Sequence, residues 1–339
     1  MIKIAIYGAG SLGTVLGAFM TRAGFAVDLI NRNRAHVECL REKGARIIGK
    51  VNLEVKVNAK TIDEIVGKYD VIFLTTKVIN NDDTIIKLSN YLEKDGVVCT
   101  IQNGLPEYDV AKVVGLDKTM GCAIAWGAEL IEPGVSKLTS ELEACTFSLG
   151  SIGSVPERHV QLVKKLLETM GPVEIDKNFI GARYTKLLIN CAFSGLSAVT
   201  GRNFGEIVDD KVSRLYAQKI IKECIKVGHA NNVKFAKIQG KDVVKLLDYS
   251  SKFKQKIGFM LIPIAIKKHR SITASMLQDL IKKKPCEINA INGRICDLAK
   301  AVSLEVPYNE KVVEIVKRIE NGELEPTPQN LKFFKDIVE

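Results

Sequence analysis

Lys186, Asn190 and Ser194 stand four residues apart in the run Lys186-Leu187-Leu188-Ile189-Asn190-Cys191-Ala192-Phe193-Ser194. On an α-helix, residues at i, i+4 and i+8 share a face. The residues between them are apolar, so the three form a polar stripe on a largely apolar helix. Burying such a stripe unpaired is costly. It therefore belongs either on a solvated face or at a site that uses its chemistry. An ammonium stabilises negative charge developing on an oxygen and then supplies a proton. The amide and the hydroxyl both donate and accept hydrogen bonds.

A second polar group follows in Ser275-Met276-Leu277-Gln278-Asp279 and Glu287-Ile288-Asn289-Ala290-Ile291-Asn292-Gly293. Glu287 is expected to open a helix whose apolar face holds Ile288, Ile291 and Ile295. A carboxylate there gains from the helix N-terminus whatever else it does. Lys77 and Asn103 come earlier, each directly after an apolar run (residues 70–76 and 97–101) that reads as a buried parallel strand. Taken singly, one is a loop lysine and the other an Asn-Gly turn. Together they occupy the carboxyl ends of two strands, where open parallel sheets bind ligands.

The element that positions all of these is the beginning of the chain. An apolar strand over residues 2–7 runs into Gly8-Ala9-Gly10-Ser11-Leu12-Gly13. Beyond it, Leu12, Val15, Leu16, Phe19, Met20 and Ala23 recur at helical spacing up to Gly24. This is strand, tight turn, helix. Gly8 permits the turn, Gly10 lets a pyrophosphate approach the backbone, and Gly13 lets the helix pack on the strand. The free N–H groups of the helix start complement phosphate charge. A bare GxGxxG is a weak signal. Its strand and helix context makes this one a dinucleotide-binding turn.

A second strand over residues 25–30 ends at Asn31, followed by Arg32 and Arg34. An acidic residue at that end holds the ribose hydroxyls of NAD. Here the position carries a neutral amide beside a guanidinium, and Asp28 lies earlier, inside the strand. That pairing suits a 2′-phosphate, so the cofactor expected is NADP(H), held through Asn31 and Arg32.

The chain has 339 residues, 46% hydrophobic and 26% charged, as soluble two-domain proteins have. Its net charge of +10 is dispersed, with no interleaved aromatics, so nucleic-acid binding is not expected. The most apolar late stretch, residues 257–266, is short for a bilayer and contains Pro263, so no membrane span is expected. No signal peptide is read at the start. The cysteines at 39, 99, 122, 145, 191, 224, 286 and 296 show no CxxC pair and read as reduced thiols of a cytoplasmic protein. No metal site is expected.

Further strands are read at 45–48, 53–57, 119–125, 135–138, 145–150 and 173–176, with Pro133-Gly134 as a turn. From residue 182 the pattern is helical, over about 182–199, 209–231, 240–267, 285–302 and 308–320. The fold class expected is an α/β Rossmann-type dinucleotide-binding domain followed by an all-α domain. Boundaries are drawn at 1–178, 179–325 for substrate and catalysis, and 326–339 for a tail whose structure is left open.

These residues together resemble the ketopantoate reductase family. The resembling pieces are the glycine turn, Thr76-Lys77, Gln102-Asn103-Gly104, Pro133-Gly134-Val135, the Lys186–Cys191 run and the two clusters at 275–279 and 287–293. They occur in the family's order from residue 1 to about 320. The resemblance implies NADPH-dependent reduction of a 2-oxo acid, ketopantoate first, in pantothenate and coenzyme A biosynthesis. It implies Lys186 as the general acid, with Asn190, Ser194 and Ser275 on the substrate and Asn103 between cofactor and substrate. It also implies Lys77, Ala128 and Glu287 on the cofactor, Arg32 on its 2′-phosphate, and a homodimer. Ser194 stands where the family often has asparagine and is followed by Gly195 rather than proline; Phe204 replaces a later asparagine. Residues 235–270 form a longer segment than usual. A reductase of another 2-oxo acid or imine is the runner-up, and a non-catalytic NADPH sensor a third reading.

Overall fold

A computed structural model describes residues 2–79, 81–237 and 242–337. The chain divides into two compact units, Met1–Phe179 and Ile180–Glu339.

The strands of the first unit are β1 (Ile4–Tyr7), β2 (Val27–Ile30), β3 (Ala45–Gly49), β4 (Leu53–Val55), β5 (Asn58–Lys60), β6 (Tyr69–Leu74), β7 (Leu92–Thr100), β8 (Thr119–Ile124), β9 (Ala128–Glu132), β10 (Val135–Leu138), β11 (Phe147–Ser151) and β12 (Val173–Ile175). One sheet has the order β12-β11-β8-β7-β6-β1-β2-β5 and is parallel except between β8 and β11. Its central strand is apolar on both faces, because helices cover both. Ile4 and Ile6 enter one apolar cluster with the helix Ser11–Arg22, while Ala5 and Tyr7 enter the other. That is the two-residue alternation of a strand buried on each side.

A second sheet, β4-β3-β10-β9, packs on the helix Ser11–Arg22. Two sequence expectations are corrected here. The strand expected over 53–57 ends at Val55 as β4, and β5, which the sequence did not reveal, follows at Asn58–Lys60 in the other sheet. The Pro133-Gly134 turn joins β10 to β9, a strand the sequence did not reveal. Ala128–Glu132 is mostly exposed, so it lacks the apolar alternation that marks a strand.

The second unit is helical. The helix Phe179–Ile189 continues through a π turn, Asn190–Ser194, into Gly195–Thr200. The other helices are Phe204–Asp209, Lys211–Ala230, Val243–Leu247, Lys252–Ala265, Ser275–Ile281, Asn292–Ala301 and Pro307–Glu320. Two expected helices are shorter than read. Residues 240–241 lie outside the described residues. The rest of 240–267 breaks between Leu247 and Lys252, where Ser251 accepts the Lys254 N–H as an N-cap. Glu287 does not open a long helix. A 3₁₀ turn, Ile288–Ala290, follows it, and the α-helix starts at Asn292.

The tail is built into this unit. Its 3₁₀ helix Pro328–Phe334 buries Leu331 and Phe334. Asn330 Nδ2 donates to Val199 O at 2.9 Å, and the Phe334 ring stacks on Tyr216 at 4.7 Å. Among the described residues no helix is long and apolar enough to cross a membrane.

Candidate active site

In the first unit the carboxyl ends of β7, β6, β1 and β2 stand side by side. Asn103 follows the first of these, Lys77 the second, the glycine turn the third, and Asn31 and Arg32 the fourth. These residues expected at a dinucleotide are thus brought to one sheet edge, whereas Glu287, also expected there, belongs to the second unit. Ala128 stands apart, at the start of β9 in the other sheet.

The three glycines differ in what surrounds them. Gly8 has φ +100°, and a Cβ there would meet the Thr76 backbone nitrogen at 2.6 Å. A Cβ on Gly13 would sit 2.7 Å from Thr75 Oγ1 and 2.8 Å from Ile6 Cγ2, so helix and sheet require the glycine. At Gly10 the nearest atom to a Cβ is Gly8 O, at 3.8 Å. Nothing inside the protein demands a glycine there, and the space is a cradle for a ligand. The helix Ser11–Arg22 begins with no side-chain cap and no acidic residue in its first turn, leaving Ser11, Leu12 and Gly13 N–H groups for an anion.

The turn is held from behind by its Ala9 carbonyl. That oxygen accepts from Asn31 Nδ2 at 2.7 Å, His36 Nε2 at 2.9 Å and Thr14 Oγ1 at 3.2 Å. Asn31 Oδ1 accepts the Asn33 N–H at 2.9 Å, so its amide braces the loop. His36 is fully buried, and its Nδ1 accepts the Gly134 N–H at 3.0 Å. This fixes the neutral, Nε2-protonated tautomer. Burial lowers the pKa, opposed by the bond to Ala9. The sequence reading passed over His36, since nothing in its spacing connects it to Ala9 or Gly134.

Beside Asn31, Arg32 is exposed and carries no ion pair among the described residues, whereas Arg34 pairs with Asp63 at 3.4 Å. The nearby carboxylate, Asp28, is taken up by Lys60 Nζ at 2.6 Å, Tyr69 OH at 2.7 Å and Asn58 Nδ2 at 2.5 Å. It is therefore not free to receive ribose hydroxyls. On the other flank Gln102, also passed over, locks two strand ends together. Its Nε2 donates to Thr76 O and Asn81 Oδ1, both at 2.9 Å. The residue types at this edge fit a dinucleotide.

In the helical unit Lys186, Asn190 and Ser194 are half-buried, while Leu187, Leu188, Cys191, Ala192 and Phe193 are buried. The plain i, i+4, i+8 face is corrected by the π turn. The Gly195 N–H reaches Asn190 O, five residues back. Such wide turns recur at functional sites, because they re-aim side chains. Ser275 is exposed at the first position of its helix, which packs on the π turn and on Gly195–Thr200. Glu287 is buried ahead of its 3₁₀ turn. Phe204, at the start of its own helix, packs on Phe193 with ring centroids 5.5 Å apart.

A family model described as Ketopantoate reductase PanE/ApbA matches residues 4–151, and one for its C-terminal part matches residues 178–320. The chain is 30% identical over 325 residues to the 2-dehydropantoate 2-reductase of Pyrococcus horikoshii, covering 94% of this chain and 98% of that one. The PanE/ApbA family ketopantoate reductase of Ralstonia eutropha JMP134 superposes with a TM-score of 0.81 at 25% identity, over 95% of this chain and 99% of that one. A ternary structure of D-mandelate dehydrogenase with NADH and anilino(oxo)acetate shares the fold, with a TM-score of 0.81 at 23% identity and the same coverage. The chain belongs to the ketopantoate reductase family and is an oxidoreductase.

Proposed function

We propose that the protein reduces a 2-oxo acid to the 2-hydroxy acid with NADPH, and that its substrate is 2-dehydropantoate. The product, pantoate, leads to pantothenate and coenzyme A. The observation that carries this reading is the half-buried Lys186 one turn before Asn190, with the buried apolar Leu187 and Leu188 between them. When bound, the reduced nicotinamide supplies the hydride. The glycine turn and the helix start at Ser11 hold the pyrophosphate, and Arg32 holds the 2′-phosphate. Lys77, Ala128 and Glu287 contribute further to holding the nucleotide.

Lys186 stabilises the negative charge that forms on the carbonyl oxygen and protonates it. General acid assistance of this kind is worth about 100- to 10,000-fold in rate. Asn103, Asn190, Ser194 and Ser275 orient the oxo acid. The test is NADPH oxidation by the purified protein on adding ketopantoate, with NADH in parallel. Lys186→Ala is expected to lose turnover and keep NADPH affinity. Turnover unchanged in that variant refutes the role of the lysine.

The Phe204–Phe193 contact favours a second reading on substrate alone. It fills with apolar surface a position where the family often has a hydrogen-bonding asparagine. A 2-oxo acid with an apolar substituent then outperforms ketopantoate in a substrate panel.

A further inference from the structure

We propose that Asn292 is a positioning residue for the substrate-facing turn. It acts through a buried polar relay that ends on the backbone between Asn190 and Ser194. The proposal rests on the reductase reading for what that turn does, but not for how it is held.

A single π turn inside an α-helix carries one residue more than the α-helical register. Were 190–194 to relax to α-helix, every side chain beyond would rotate by about 100°, one residue's share of a turn. The orientation of Ser194 relative to Lys186 is therefore a property of this turn. The turn also displaces backbone carbonyls that need a partner where water is absent.

Asn292 supplies that partner. Its Nδ2 donates to Cys191 O at 3.1 Å and to Asn309 Oδ1 at 3.0 Å. Asn309 Nδ2 in turn donates to Glu223 Oε2 at 2.8 Å. The Glu223 carboxylate also accepts the Tyr308 and Asn309 N–H groups, each at 2.9 Å, anchoring the start of the helix Pro307–Glu320. Asn292, Asn309 and Cys191 are fully buried and Glu223 is 6% exposed. The relay thus joins four helical segments without solvent.

Gly195 makes room for it. A Cβ at that position would lie 2.9 Å from Asn292 Oδ1 and 2.9 Å from Val312 Cγ1. The glycine after Ser194 and the asparagine at 292 therefore form one steric unit. Among the described residues Asn292 Oδ1 itself has no hydrogen-bond partner, so what holds this amide in place is its donor side, aimed at the turn.

The test compares wild type with Asn292→Ala by native-state amide exchange and steady-state kinetics. Where the alanine variant does not fold, Asn292→Ser, which keeps one donor, carries the same comparison. Exchange over residues 190–196 is expected to rise about 10-fold or more, with no equal rise over 211–230, as loss of a buried carbonyl's partner requires. The KM for the oxo acid is expected to rise about 10-fold while the Kd for NADPH stays put, the pattern of lost substrate binding. Uniformly faster exchange, or a lower Tm with unchanged KM, overturns the proposal and leaves Asn292 a packing residue. If wild type reduces no 2-oxo acid, the exchange result still decides the role of Asn292, and the reductase reading is the one that fails.

Discussion

His36 Nε2 lies 2.9 Å from the Ala9 carbonyl while its Nδ1 receives the Gly134 N–H at 3.0 Å. One neutral ring thus ties the glycine turn to the hairpin of the second sheet. Protonation would turn Nδ1 into a donor facing a donor. Burial depresses the pKa below the ordinary 6.5, so the unfolded chain takes up the proton first as pH falls. This contribution to stability is complete above about pH 6.5 and is lost as pH drops toward and through the folded pKa. His36→Gln, which does not titrate, is expected to show a flatter Tm between about pH 5 and 7. Parallel Tm curves for the two proteins contradict this.

Gly10 and Gly13 should separate binding from folding. Gly13→Ala forces a methyl against Thr75 and Ile6 and is expected to cost about 1–3 kcal/mol of stability, read by urea unfolding. Gly10→Ala meets no protein atom closer than 3.8 Å and should unfold like wild type. Its NADPH Kd is expected to rise about 10-fold or more, because the methyl occupies the ligand's approach. Equal Kd values in Gly10→Ala and wild type disprove the cradle.

Arg32 and Arg34 should differ although they are two residues apart. Among the described residues Arg32 has no ion pair, while Arg34 faces Asp63. Arg32→Ala is expected to weaken NADPH binding by about 10- to 100-fold, the worth of a charge-assisted bond to phosphate, with little effect on NADH. Arg34→Ala is expected to do neither. Titrations with both nucleotides decide it, and equal losses for NADPH and NADH in Arg32→Ala reject the 2′-phosphate assignment.

Glu223 should impose the opposite pH trend. Burial pushes its carboxyl up to about 7, against the lowering effect of the Tyr308 and Asn309 donors. The unfolded carboxyl releases its proton near the ordinary 4.5, well before the folded one. Its stabilising contribution is therefore present below that value and lost as pH rises through about 7. The stability of Glu223→Gln relative to wild type is expected to improve from pH 5 to 8, whatever the constant offset from its altered hydrogen bonds. A difference that does not vary with pH refutes the raised pKa.

Much of the first unit was legible because its signals are local. Strand β1, the glycine turn and the helix Ser11–Arg22 follow from two periodicities and a change of backbone conformation, all within neighbouring residues. The absence of a carboxylate after β2 is likewise read directly. β9 was illegible because a strand exposed on both faces carries no apolar alternation. β5 was illegible because its three residues gain their place only by pairing with β2, which composition does not show.

By itself, the sequence determined an α/β nucleotide-binding unit, an all-helical unit and the residue types available for chemistry, since periodicity and φ preference act over a few residues. Only the tertiary structure decided how those residues are held. His36 meets Gly134 across 98 positions, and Asn292 meets Cys191 across 101. A hydrogen bond between residues so far apart leaves no spacing to read. It exists because packing of apolar surfaces brings two backbone groups together where water cannot satisfy them.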